Sequence, residues 1–89
     1  MKKINVDVFY RFEPNLGNNG ELIVYLKSSG ALYEMTEPYY IFLKEIDKGY
    51  TFESLLNAYM CKYPTLTKEE IISCIETIEK ELYELGLIL

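Results

Sequence analysis

Ala31-Leu32-Tyr33-Glu34-Met35-Thr36-Glu37-Pro38 decides the fold. The first five residues read as a short strand, with Tyr33 and Met35 on one face and Leu32 and Glu34 on the other. Thr36 is a natural N-cap, and Pro38 falls inside the first turn of a helix. The stretch therefore marks a change from strand period to helix period. Everything before it reads as strand and everything after it as helix.

Upstream, Asn5 to Phe12 is expected as a first strand, with Val6, Val8 and Tyr10 on its apolar face. Glu13-Pro14 ends it, because proline cannot donate to a ladder. Asn15 to Gly20 is a polar loop closing in Asn19-Gly20, a strong hairpin signal. Glu21 to Lys27 is a second strand rich in branched and aromatic residues, and Ser28-Ser29-Gly30 turns the chain into the third. Three strands joined by short turns predict an antiparallel meander.

Downstream, Tyr39, Phe42, Leu43 and Ile46 recur at helical spacing until Asp47-Lys48-Gly49. Thr51 caps a second helix, with Ser54 where a capping box would want Glu, and Leu55, Leu56, Tyr59 and Met60 as its apolar face. Thr67-Lys68-Glu69-Glu70 is a capping box opening a third helix. Ile71, Ile75, Ile78 and Leu82, continued by Leu85 and widened by Ile72 and Cys74, form its stripe. Gly86 ends it, leaving an apolar tail, Leu87-Ile88-Leu89, to pack back. The predicted class is α+β, a winged helix-turn-helix-like domain of three antiparallel strands followed by three helices, spanning 1–89 as one unit.

Charge argues against the obvious ligand of such a fold. Residues 67–89 hold two basic and six acidic groups, net −4; residues 1–66 hold seven basic and eight acidic, net −1. A third helix with six Glu repels phosphates, so nucleic acid and anionic membrane are not the expected partners. No stretch approaches the roughly 18 apolar residues of a membrane helix, and no signal peptide opens the chain. Catalysis is not expected: His is absent, the glycines are dispersed, and the helix carboxylates read as a solvated face. Cys61 and Cys74 are too few for a structural metal site and read as small buried apolar residues, reduced in a cytoplasmic setting. No cofactor is expected.

A peptide ligand fits better. The third strand lies at a sheet edge in this topology, and an extended peptide can add there as a fourth strand. The simpler reading makes Tyr33, Met35 and the isoleucine stripe core, and for most of the stripe a domain this small requires it.

Several segments, taken in order, resemble the PqqD-like family, the RiPP precursor peptide recognition elements. Tyr10-Arg11-Phe12-Glu13-Pro14 is similar to the family's first-strand end, and Ile23-Val24-Tyr25-Leu26 with Gly30 to its second strand and turn. Tyr33-Glu34-Met35-Thr36-Glu37 resembles its approach to the first helix, Asp47 to Leu55 its next helix junction, and Leu82 to Leu87 its Leu-x-x-x-Gly-Leu ending. The bulky Pro38-Tyr39-Tyr40 and the long loop from Asn15 to Gly20 depart from the pattern. The resemblance implies a non-catalytic chaperone that binds the leader segment of a ribosomally made precursor peptide. Such a chaperone hands the peptide to a modifying enzyme such as a radical SAM protein, a cyclase or a leader peptidase. It implies a site formed by Ala31, Leu32, Tyr33, Glu34 and Met35 on the strand and Ile71, Ile72, Ile75, Ile78, Glu79 and Leu82 on the third helix. Glu34 and Glu79 would meet a basic leader residue. The start Met and family-like ending favour a free-standing chain. The alternatives are a DNA-binding or regulatory winged helix, and a generic protein-binding adaptor.

Overall fold

A computed structural model of the chain describes residues 2–89. Three strands, β1 (Val8–Glu13), β2 (Glu21–Leu26) and β3 (Ala31–Met35), precede three helices, α1 (Glu37–Asp47), α2 (Phe52–Lys62) and α3 (Lys68–Glu84). The sheet is antiparallel in the order β1-β2-β3, as the meander reading expects. Its register runs Phe9↔Tyr25 and Arg11↔Ile23 on one side, Tyr25↔Leu32 and Ile23↔Glu34 on the other. Because side chains alternate, Leu22 and Val24 point inward and are fully buried, while Phe9, Tyr25 and Leu32 stand on the outward face.

The helices cover the inward face. Phe42, Leu43 and Ile46 of α1, Leu55, Leu56 and Tyr59 of α2, and Ile71, Ile75, Ile78 and Leu82 of α3 are all buried around Leu22 and Val24. Tyr59 places its ring in this core and donates its hydroxyl to Pro38 O at 2.5 Å, fixing the start of α1 against α2. Burial raises the Tyr59 hydroxyl well above the usual tyrosine range, so it remains a donor.

The helix starts follow from local chemistry. Thr67 accepts from Glu70 N at 3.1 Å and Glu70 returns the bond to Thr67 N at 2.9 Å. Thr51 and Ser54 build the same reciprocal pair, the serine hydroxyl taking the role of the missing carboxylate. The end of α3 is a Schellman motif: Gly86, at φ +76°, donates to Tyr83 O and Leu87 donates to Leu82 O. The turn sends Leu87 and Ile88 into the core, where both are fully buried. Leu89 and Lys3 exchange backbone bonds at 2.7 and 3.1 Å, tying the tail to the N-terminal segment.

Several expectations are corrected. The first strand begins at Val8, not Asn5. The Asn5 side chain accepts from Asp7 N and donates to Gly86 O, which holds a turn there and leaves Val6 91% exposed. The second strand ends at Leu26, one residue early, because Lys27 N turns to Asp7 O. Met60 is exposed, since the α2 face that packs carries Leu55, Leu56 and Tyr59. Cys61 and Cys74 are also exposed and free, lying on helix flanks outside the buried stripes.

Candidate functional site

Strand β3 pairs with β2 alone, so its other edge presents alternate backbone N–H and C=O groups without a strand partner. Ala31, Tyr33 and Met35 are half-buried on the inward side, and Leu32 and Glu34 are exposed on the outward side. The chain passes from Met35 directly through Thr36 into α1, so the first turn of that helix stands at the C-terminal end of the edge.

Two adjacent tyrosines of α1 reach opposite ways. Tyr40 stacks on Phe12 of β1 with centroids 4.4 Å apart and planes 5° from parallel. Tyr39 donates its hydroxyl to Glu81 Oε2 of α3 at 2.7 Å. Burial, then the hydrogen bond and charge of Glu81, push the Tyr39 hydroxyl up to about 12, so it stays a proton donor at neutral pH. The thiol of Cys74 adds to the same environment, and Cys74 and Glu81 lie seven residues apart on one side of α3. Tyr39 therefore ties the first turn of α1, which follows β3, to the α3 flank bearing Cys74 and Glu81.

The predicted helix residues divide by burial. Ile71, Ile75, Ile78 and Leu82 are core, each no more than 4% exposed. Ile72 and Glu79 are half-buried. Glu79 acts on Tyr50, raising its hydroxyl after burial has done so first. Glu79 and Glu81 lie two positions apart, about 200° around the helix, so they occupy opposite flanks. The strand residues Ala31 to Met35 thus gather on one edge, while the accessible α3 residues that meet the start of α1 are Glu81, bonded to Tyr39, and Cys74 beside it. Neither was expected in this role. Their signal is tertiary, since it depends on where the Tyr39 hydroxyl reaches.

A surface depression of about 1010 Å³ opens at the C-terminal end of β3, with Glu34, Met35, Glu37 and Glu21 in its lining. Glu37 is paired with Lys62 at 3.3 Å. The carboxyl of Glu21 is raised above its usual range, chiefly by hydrogen bonding to Glu34 and then by that residue's charge. Among the described residues no group of three or more His, Cys, Asp and Glu is placed to hold a metal ion. No helix among them is long and apolar enough to cross a membrane. What the edge offers is backbone pairing beside half-buried apolar side chains.

The same fold occurs in TbiB1, solved in complex with the TbiA(beta) leader peptide. The two align with a TM-score of 0.78 at 13% identity, over 97% of this chain and 93% of the TbiB1 chain. No family profile matches the chain, and no curated sequence matches it.

Proposed function

We propose that residues 1–89 form a non-catalytic peptide-recognition domain of the PqqD-like kind. It binds the leader segment of a ribosomally synthesised precursor peptide and presents the attached core to a modifying enzyme, such as a radical SAM protein, a cyclase or a leader peptidase. The leader adds to β3 as a fourth strand. Ala31 to Met35 supply backbone bonds, and Tyr33 and Met35 receive the inward side chains. On α3 the wall draws on Ile72 and Glu79 at the margins of the core stripe, and on Cys74 and Glu81 on the flank linked to Tyr39. Ile71, Ile75, Ile78 and Leu82 support the wall from beneath. The domain works in the cytoplasm, where its two exposed thiols stay reduced.

The unpaired β3 edge carries this reading, because it occurs in a fold shared with a protein solved around a leader peptide. The acidic α3 favours a peptide over a polyanion.

Calorimetric titration with precursor leaders encoded near the gene tests it, using peptides N-methylated at single backbone amides. Strand addition makes affinity fall at alternate positions only, because every second N–H faces β3. Equal tolerance at all positions would refute strand addition.

A further inference from the structure

The outward face of the sheet is neither covered nor polar throughout. One cross-strand row is Phe9, Tyr25 and Leu32, which are 61%, 40% and 60% exposed. The next is Arg11, Ile23 and Glu34. Arg11 turns to Glu13 in an ion pair, so it does not reach across the row to Glu34. Among the described residues neither Glu34 nor the adjacent Glu21 has a cationic partner, whereas Glu37 has Lys62. Both rows end abruptly at the β3 edge, one on an exposed leucine and one on an unpaired carboxylate.

A strand added at that edge continues both rows. One of its side chains lies beside Leu32 and another, two residues along, beside Glu34, with the residue between them facing inward. We infer that the outward pair Leu32 and Glu34 selects leader segments bearing an apolar residue and a Lys or Arg two positions apart, in the order the strand direction sets. The inference rests on strand addition at β3 and names the class of peptide that edge takes. The apolar residue extends the Phe9-Tyr25-Leu32 row and covers its open end. The cation relieves the crowding of the Glu21 and Glu34 carboxyls.

Random linear peptides displayed on phage are selected against the wild-type domain and the variants Glu34→Lys, Leu32→Lys and Glu53→Lys. Both β3 positions are exposed, so these variants keep the fold. Wild type is expected to enrich an apolar residue and a Lys or Arg two positions apart in one order, and Glu34→Lys to exchange the basic preference for Asp or Glu at the same spacing. Leu32→Lys should lose the apolar preference, and Glu53→Lys, exposed on α2 away from the edge, should change nothing. A peptide selected on wild type should bind Glu34→Lys roughly three- to tenfold more weakly, the scale of exchanging one favourable cross-strand pair for a repulsive one. Selected peptides that perturb the β3 amides yet show no basic preference, or keep it on Glu34→Lys, would overturn the selection rule and leave strand addition standing. If no selected peptide reaches β3, strand addition fails and the rule fails with it.

Discussion

The two outer strands of the sheet have the same alternation and different fates. Along β1, Tyr10 donates to Asp47 at 2.5 Å and Phe12 stacks on Tyr40, so α1 closes over that side. After β3 the chain enters α1 directly, and Tyr39 of that helix bonds to Glu81 of α3. Two consecutive tyrosines, about 100° apart around a helix, thus serve different partners, one packing on β1 and the other bonding to α3. Both outer strands keep an edge without a strand partner among the described residues, and the difference between them lies in the side-chain contacts α1 makes with β1.

The largest effect is expected where both sides depend on one stripe. Ile75 is 3% exposed, and Ile75→Glu places an unpaired carboxylate in the core. It should cost about 4 kcal/mol or more and leave the chain unfolded by circular dichroism. A cooperative urea transition near the wild-type midpoint would show the core to be misassigned.

Gly20→Ala attacks the closed side alone. Gly20 sits at φ +88°, and a Cβ there would lie 2.3 Å from Phe12 Cζ, displacing the ring that stacks on Tyr40. A loss of about 1–3 kcal/mol in chemical denaturation is expected from backbone strain and overpacking together. Unchanged stability would mean that the stack tolerates displacement.

Tyr39→Phe loosens the open side. Loss of one partly exposed bond to a carboxylate should cost about 0.5–1 kcal/mol at neutral pH. The hydroxyl is raised from about 10 in the unfolded chain to about 12 in the folded one. Its contribution is therefore complete below about pH 10 and is lost as pH rises through about 12. The wild-type advantage over Tyr39→Phe should narrow across that window in urea titrations. A constant difference would place the hydroxyl outside the Glu81 contact.

Leu32→Lys should change stability by no more than about 0.5 kcal/mol, because the side chain is already exposed. A larger loss in thermal unfolding would mean that the outward row contributes to the fold.

Much of this contrast was legible in the chain. Ala31 to Met35 alternates cleanly and is bounded by Gly30 and by Thr36, which takes the N-cap position of α1 but makes no side-chain cap hydrogen bond, so the strand and its faces follow from local chemistry. Thr67 and Glu70 announce α3 in the same way, and its stripe is core as its spacing requires. Asn5 to Asp7 misled because Asn5 spends its side chain on Asp7 N and on Gly86 O, a partner 81 residues away. The cysteines misled because free thiols usually sit in cores, whereas Cys61 and Cys74 fall just outside their buried stripes. The flank of α3 linked to β3 was not legible, because the Tyr39–Glu81 bond that marks it joins two elements whose spacing in sequence says nothing of their approach.

The central claim is that the β3 edge, and not the β1 edge, takes a peptide. The most direct test follows the backbone amides of the labelled domain by NMR during titration with precursor leaders encoded near its gene. The expected result is shifts concentrated in Ala31–Met35 and along α3 from Cys74 to Glu81, with Val8–Glu13 unmoved. Shifts centred on β1, or none at leader concentrations far above micromolar, would contradict it.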